Sequence, residues 1–303
     1  MDPFLDVVQL LRPRATLWSK IEGFGRWGLA FRKHDDVLFC RVERGECHLL
    51  RPGQAPVPLG PDDFVLIRTV TPFVLTSDPG VEPADSEEMV AAAGSVSFRM
   101  GEGEERPVTL RGGRFLFDTA NESLLWELLP PVLHVPADDT SSWRVRSLLK
   151  LNEAETLQPG PGSEFLIARL MELILVEMLR RETPGQDERA TGLIAGLHDA
   201  HLARALVAMH GEIARGWSVA ELARLCGVSR SGFATRFKQV LGVGPMEYLM
   251  RWRMAVAKDA LRRGERSVGE IALMVGFGSA SAFSTSFTRA VGCSPKRFVV
   301  GLG

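Results

Sequence analysis

The chain has 303 residues, 45% of them hydrophobic, and is nearly neutral overall, with 36 basic and 37 acidic side chains. This length accommodates two domains with separate cores. No uncharged apolar run approaches the roughly 18 residues that a membrane-spanning helix needs, so we expect no membrane partner. Four cysteines without close pairing argue against a disulfide framework, and the N-terminus lacks a secretion signal, which together predict a cytoplasmic location.

The N-terminal part reads as a β-rich domain. From residue 28 to about 116, short apolar runs alternate with turn-forming residues, which is typical of a barrel or sandwich. Residues 37–42 and 47–50 flank a turn that contains Gly45, and they predict a hairpin. Further strands are predicted at 64–67, 73–75, 96–100 and 115–117.

The segment at residues 60–64, Gly-Pro-Asp-Asp-Phe, and this strand pattern make residues 1–136 resemble a cupin-like ligand-binding domain. Enzymatic cupins hold a metal with several histidines and a glutamate. Residues 68–73 contain no histidine, and His34 and His48 are isolated. We therefore expect no metal site, no cofactor and no catalytic residue, so the chain is predicted not to be an enzyme.

Cys40 and Cys47 bracket the turn of the predicted hairpin, where they would lie on one sheet face, diagonally offset. A thiol sensor needs an exposed cysteine with a lowered pKa. Free cysteines are usually buried, which favours small core residues at both positions. Cys226 and Cys293 are predicted to be core or turn residues.

Residues 137–190 are predicted to form a helical connector. Asp139 or Thr140 is a candidate cap for a helix that reaches Leu151, and residues 183–188 read as a polar interdomain linker. A second helix is predicted from Ser163 to Arg181, packed within the chain or against a second subunit. Its apolar stripe is Leu166, Leu170, Leu173, Val176 and Leu179 or Arg180, widened by Leu175 and Met178.

A motif occurs twice in residues 191–303. Each copy has a capping box, a glycine that ends the first helix, a phenylalanine pair at i and i+4, and a Gly-x-x-Pro ending. Two tandem helix-turn-helix units are typical of proteins that bind double-stranded DNA. The positions are Ser218, Glu221, Gly227, Phe233, Phe237, Gly242 and Pro245, then Ser267, Glu270, Gly276, Phe283, Phe287, Gly292 and Pro295.

A long amphipathic helix is predicted between the two copies, from Met246 to Arg263, and it would hold the units about one DNA turn, roughly 34 Å, apart. Charge is partitioned in agreement with this prediction. Residues 198–303 carry 15 basic and 7 acidic side chains, a net charge of +8, whereas the rest carries 21 and 30, a net charge of −9. A basic domain supplies phosphate contacts.

The duplicated motif resembles that of the AraC/XylS family of bacterial transcription regulators. The matching segments are Leu222-Ala223-x-x-x-Gly227-Val228-Ser229, Phe233-x-x-x-Phe237-Lys238 and Ile271-Ala272-x-x-x-Gly276-Phe277, with the ending Gly292-Cys293-Ser294-Pro295. The resemblance covers roughly the last hundred residues. It implies two helix-turn-helix units that read adjacent major grooves, and a cupin-like domain that binds a small effector.

The predicted DNA contacts lie on the side of each second helix opposite the phenylalanines. The family often has an arginine where Thr235 and Thr285 stand, and it commonly follows the aromatic at Phe298 with arginine, where this chain has Val299. We therefore expect the first unit to supply more sequence specificity. The candidates are Ser229, Arg230, Ser231, Ala234, Thr235, Arg236, Lys238, Ser281, Ser284, Thr285, Thr288, Arg289 and Arg251.

The sequence thus predicts an α+β multidomain protein: a cupin-like β-barrel at 1–136, a helical connector at 137–190 and an all-α DNA-binding domain at 191–303. The predicted function is sequence-specific transcription regulation controlled by an unidentified small effector. Predicted partners are double-stranded DNA and a second copy of the chain, with RNA polymerase a further candidate. Two alternatives remain: a redox-responsive regulator using Cys40 or Cys47, and a cupin-type enzyme fused to a DNA-binding domain.

Overall fold

The computed structural model describes residues 2–17, 20–34, 36–94, 97–103, 105, 107–117, 121, 129, 131–180 and 192–300. The chain divides into two compact units. The sensor unit comprises Pro13–Phe117 and Leu129–Arg181, and the helical unit comprises Met1–Arg12, Asp118–Leu128 and Glu182–Gly303. No helix in the described ranges is long and apolar enough to cross a membrane.

Two sheets make up the framework of the sensor unit. The larger has the order β10-β2-β11-β4-β7-β12, with β1 also paired to β11, and the smaller has the order β6-β5-β8-β3-β9. The strands are β1 (Arg14–Leu17), β2 (Ile21–Phe24), β3 (Gly28–Phe31), β4 (Val37–Arg44), β5 (Cys47–Leu50), β6 (Val57–Leu59), β7 (Phe64–Arg68), β8 (Phe73–Thr76), β9 (Ala84–Asp85), β10 (Phe98–Gly101), β11 (Val108–Leu116) and β12 (Val132–Val135).

The helices are divided between the two units: α2, α3 and α4 belong to the sensor unit, and the others to the helical unit. Their bounds are α1 (Pro3–Leu11), α2 (Ser86–Ala93), α3 (Trp143–Leu157), α4 (Ser163–Leu179), α5 (Leu193–His198), α6 (Leu202–Gly211), α7 (Val219–Cys226), α8 (Arg230–Leu241), α9 (Pro245–Arg263), α10 (Val268–Met274), α11 (Ala280–Val291) and α12 (Pro295–Val300).

Strand alternation builds the core of the sensor unit. Along β4, Leu38, Cys40 and Val42 belong to an apolar cluster shared by both sheets. Successive side chains of a strand point to opposite faces, so Phe39 and Arg41 project to the other side of the larger sheet. The cluster is therefore the barrel interior, and β4 has a second, outer face.

The predicted strands at 64–67 and 73–75 are present as β7 and β8, but the predicted hairpin is wrong. Among the described residues, β4 pairs with β11 and β7, whereas β5 pairs with β6 and β8 in the other sheet. The chain turns at Gly45, whose φ of 76° is left-handed, and crosses from one sheet to the other. A local turn signal does not reveal which strands then pair.

The connector helices differ from the prediction in length and in buried face. Asp139 caps a short 3-10 helix at Thr140–Ser142, and the following α3 continues to Leu157 rather than Leu151. In α4 the predicted stripe is only partly buried, because Leu166 and Leu173 are about half exposed. Leu175, Met178 and Leu179 of the predicted set are buried, together with Ile167, Met171 and Ile174, which were not predicted.

The N-terminal helix α1 belongs to the helical unit, which differs from the predicted boundary at residue 136. It contacts α6 and α9. His210 Nδ1 lies 3.1 Å from Asp6 Oδ2, and its Nε2 lies 2.9 Å from the Tyr248 hydroxyl. Burial lowers the pKa of His210 to about 3, so the ring is neutral, donating to Asp6 and accepting from Tyr248. Arg12 adds an ion pair of 2.7 Å with Asp259.

Both helix-turn-helix units form as predicted. The capping boxes of Ser218 with Glu221 and of Ser267 with Glu270 are complete. Gly227 ends α7 in the left-handed conformation, with φ at 71°. The long helix α9 contacts α8, α10 and α12. It therefore joins the two helix-turn-helix units by packing as well as by the chain connection. The predicted linker at 183–188 lies outside the described residues.

Phe233 offers a test of this core. It is 1% exposed and lies 5.5 Å from Phe237 between ring centroids. Phe233→Ala should lower the free energy of unfolding of the helical unit by about 3–5 kcal/mol, because it removes a large buried ring and leaves a cavity. Chemical denaturation of the full chain measures the loss. Thr235→Ala, at an exposed position of the same helix, is the control, and equal effects from both variants would contradict the placement.

Candidate nucleic-acid interface

The phenylalanine pair in α8 determines which side of this helix faces outward. Phe233 and Phe237 are both buried, and Phe237 packs edge-on against Tyr248 of α9 at 5.7 Å. One side of the helix is thereby attached to the unit, and the remaining sides are accessible. Of the seven predicted contacts in this unit, Ala234 is half-buried, and the other six are exposed: Ser229, Arg230, Ser231, Thr235, Arg236 and Lys238.

Ser229 and Arg230 stand where α8 begins. Ser229 is the N-cap, and its side chain accepts a hydrogen bond from the Gly232 amide. Arg230 is the first helical residue and is exposed, with no ion pair among the described residues. An exposed cation at this end of a second helix suits a phosphate oxygen or a guanine edge.

Arg236 is already paired. Its Nε donates to Asp199 Oδ2 at 2.5 Å, and Asp199 Oδ1 accepts from the amides of His201 and Leu202 at the start of α6. Burial acts to raise the pKa of Asp199, but the hydrogen bonds from Leu202 and Arg236 outweigh it and hold the pKa below its usual value. Arg236 could therefore contact DNA only by giving up its ion pair with the Asp199 carboxylate, which the two amides hold in place.

The outward side of α11 carries hydroxyls where α8 carries cations. Phe283 and Phe287 are fully buried and lie 5.5 Å apart, so α11 presents its predicted face outward as α8 does. Thr285 and Thr288 donate their hydroxyl hydrogens to carbonyls one turn back, those of Ser281 and Ser284. Each of these hydroxyl oxygens is then available mainly as a hydrogen-bond acceptor, whereas a phosphate oxygen needs a donor. Arg289 is exposed near the helix end.

Two arginines of α9 have different roles. Arg251 is exposed and pairs one turn back with Glu247 at 2.8 Å. Arg253 donates to the backbone carbonyls of Ile213 and Arg215, at 2.9 and 2.7 Å, and burial lowers its pKa. Arg253 thus fastens the segment between α6 and α7 and is not part of a DNA-facing surface.

The exposed pair Lys296 and Arg297 was not predicted to contact DNA. Both lie near the start of the short helix α12, and both are exposed. Basic residues directly after Ser294-Pro295, at a recognisable helix start, are the signal that could have identified them. They are additional candidates for phosphate contact.

The sensor unit shows no metal centre within the part of the chain that the structure describes, where no group of three metal-ligating side chains occurs. His34 pairs with Glu87 at 2.8 Å, and His48 lies in β5. Cys40 and Cys47 lie in different sheets, which corrects their expected position on one sheet face, and both are in the barrel core. Burial raises the pKa of Cys47 to about 12 and that of Cys40 well above its usual value, which disfavours the reactive thiolate.

A cavity of about 330 Å³ opens at the barrel core beside α2. Its walls are apolar and include Leu29, Phe31 and Phe98 from the barrel and Val90 from α2. Arg114 and Glu87 are its charged lining residues, and Arg114 donates to the buried Asp36 at 2.9 Å. The cavity can therefore enclose a small apolar molecule.

A β-rich domain and two helix-turn-helix units with outward-facing helices define a DNA-binding transcription regulator with a cupin-like domain. Residues 2–183 match the cupin family and residues 222–299 match a helix-turn-helix domain family. An AraC-like transcription regulator of Streptomyces lividans is 38% identical over 97% of both chains, and one of Streptomyces antibioticus is 37% identical over the same shares. The chain belongs to this family of AraC-type transcription regulators, whose members are named as regulators rather than enzymes.

A more distant relative and two solved structures are also similar to the chain. The regulator AlkR of Acinetobacter baylyi is 32% identical over 58% of each chain. Among solved structures, the DNA-binding domain of AdpA in complex with a target DNA is 28% identical over 34% of this chain and 93% of its own, with a TM-score of 0.33. ToxT of Vibrio cholerae is 13% identical over 95% of this chain and 97% of its own, with a TM-score of 0.35.

Arg230 and Asp199 allow a charge test of this interface. Arg230→Ala should weaken binding to a selected DNA site by roughly 5- to 100-fold, because a side-chain contact to a base or phosphate is lost. Asp199→Asn should tighten binding, since it keeps the caps at His201 and Leu202 but frees Arg236. Fluorescence anisotropy across a salt series measures both.

The matched control is Arg26→Ala, which removes the same charge from an exposed position of the sensor unit that lies outside α3 and α4. Unchanged affinity in Arg230→Ala together with weaker binding in Asp199→Asn would mean that another side of α8 faces the DNA.

Proposed function

We propose that this protein is a sequence-specific regulator whose DNA recognition rests chiefly on the first helix-turn-helix unit. The supporting observation is the contrast between the exposed sides of α8 and α11. The first carries Arg230, Arg236 and Lys238, and the second presents serine and threonine hydroxyls that partly bond to their own helix. Base readout and phosphate contact both favour long cationic donors. The second helix-turn-helix unit then serves mainly to position and orient the protein on the DNA duplex.

Selection of genomic DNA fragments by the purified full chain, followed by footprinting, tests this proposal. We expect a protected site of two adjacent major grooves per subunit, with affinity falling by about 0.9 log unit per log unit of salt for each phosphate contact. Base changes in the groove read by the first unit should cost more affinity than changes in the second. Equal costs in both grooves would contradict the proposed division of labour.

The effector site that we propose is the barrel cavity beside α2. Apolar walls and a volume of about 330 Å³ suit a compact hydrophobic molecule, near the lower end of the range for small-molecule sites, about 300–1,000 Å³. Met89 and Val90 of α2 pack partly buried against the barrel core. An occupant would add contacts to α2 and so favour one arrangement of this helix over others.

Toluene can serve as the apolar probe for this site, with binding measured by titration calorimetry. Val90→Trp should abolish binding, because the indole fills the cavity, whereas Ala92→Trp, at an exposed position of the same helix, should leave it unchanged. Binding that survives Val90→Trp would place the toluene elsewhere.

We propose further that the chain forms a homodimer through the outward sides of α3 and α4. These helices expose large apolar side chains, including Leu151, Leu157, Phe165, Leu166 and Leu173, at 47–69% of their area. Because α3 and α4 pack against each other, these side chains lie on neighbouring helices and favour an interaction surface. The sequence left open whether Leu166 and Leu173 pack within the chain or against a second copy, and their exposure favours the second copy.

Light scattering after size-exclusion chromatography of the full chain tests the dimer. The wild type should elute as a dimer, and Leu173→Glu should shift it to the monomer, since a charge at a dry apolar contact is costly. Val207→Glu, at an exposed apolar position in the helical unit, is the control. A dimer that persists in Leu173→Glu would exclude this surface.

A further inference from the structure

A second cavity of the sensor unit lies outside the barrel. It has a volume of about 280 Å³ and is lined by Phe39 and Phe64 of the larger sheet and by Ile167 and Met171 of α4. Phe39 is on the outer face of β4, opposite the barrel core. The two cavities share no lining residue, so this outer cavity is distinct from the one beside α2.

The charged groups at this outer cavity are ion-paired with one another. Arg41 donates to Asp62 at 2.5 Å and to Glu153 at 3.1 Å, and Arg111 donates to Glu43 at 2.5 Å. Two guanidiniums thus face three carboxylates, which disfavours an anion, and the apolar part of the lining disfavours a cation that would lose its hydration. The cavity therefore favours an uncharged occupant.

One polar group at the cavity has no partner. Asn152 of α3 lines the cavity, and its Nδ2 is buried without a hydrogen bond to any described residue. Buried donors are nearly always satisfied, so each exception needs an explanation. The neighbouring Thr156 does not accept this donor and instead bonds to the Asn152 backbone carbonyl, at 2.7 Å. An acceptor atom placed in the cavity would satisfy Nδ2.

We propose that this outer cavity binds a small, uncharged and mostly apolar molecule carrying one hydrogen-bond acceptor, which takes the hydrogen bond from Asn152. The apolar body lies against Phe39, Phe64 and Met171. The size agrees with a one- or two-ring molecule, since the volume is at the lower limit for small-molecule sites, about 300 Å³. This site is distinct from the barrel cavity and does not depend on it.

Occupancy would act on the helices that carry the proposed dimer surface. The cavity is lined by residues of both α3 and α4 on one side and by the sheet on the other. A bound molecule therefore adds contacts between these helices and β4, which stabilises their packing. A signal that reaches this cavity can change the geometry of α3 and α4 without entering the barrel.

Three probes with one ring system test the chemistry: 2-acetylnaphthalene, 2-ethylnaphthalene and 2-naphthoate. They match in shape, but the first has a neutral acceptor, the second has none and the third is an anion. Equilibrium dialysis with the full chain should show the acetyl compound binding roughly tenfold tighter than the ethyl compound, the value of one hydrogen bond of about 1–1.5 kcal/mol. The anion should bind most weakly.

Site variants locate the probe. Asn152→Leu should remove the preference for the acetyl compound and raise the melting temperature of the free protein, because the unpartnered donor is gone. Thr156→Trp should fill the cavity and abolish binding, whereas Ala154→Trp, exposed on the same helix, should not. Val90→Trp, which closes the barrel cavity, should leave binding intact.

Three outcomes would overturn the proposal: no binding of any naphthalene probe to the wild type, binding abolished by Val90→Trp but not by Thr156→Trp, or an acetyl preference that survives in Asn152→Leu. A melting curve for each variant confirms that it is folded before its binding is compared. Failure here would leave DNA recognition and the barrel site untouched, because those are measured with different probes.

Discussion

The paired phenylalanines of the two helix-turn-helix units are the constraint on which the rest of the DNA-binding surface depends. Two rings four residues apart project from one side of a helix, and burying both fixes the rotation of that helix about its own axis. Phe233 with Phe237 and Phe283 with Phe287 do this in α8 and α11. The sequence position of each other residue relative to the two phenylalanines then determines whether its side chain faces outward. The identity of those outward residues is what differs between the two units.

The net charge of +8 on residues 198–303 overstates the charge that is available to DNA. Arg253 is committed to backbone carbonyls, and Arg236 to Asp199. Asp259 binds arginines from two helices, Arg12 and Arg263. These pairs hold the unit together and lower its positive potential. In the proposed division of labour, affinity depends on exposed cations that stand clear of carboxylates, such as Arg230 and Lys238 of the first unit.

Local features of the fold could be predicted from the sequence, whereas features made by distant residues could not. The capping boxes and the glycine at position 227 act within a few residues, so their patterns suffice. The ion pair of Arg236 with Asp199 joins residues 37 apart, and no sequence pattern marks it. In α4 the sequence could not decide whether Leu173 packs within the chain or against a second subunit, because this helix is apolar on most sides and only its packing partner decides which side is buried.

The two candidate sites of the sensor unit could not be located from the sequence because strand pairing creates them. Only after β4 takes its place between β11 and β7 do its alternate residues face two different compartments. The inner row includes Cys40, whose raised pKa makes it a packing residue, and the outer row includes Arg41. The strand β11 lines both cavities, with Arg114 at the one beside α2 and Arg111 at the outer one. An occupant of either cavity would therefore act on the same strand, which favours a single output from two chemically different inputs.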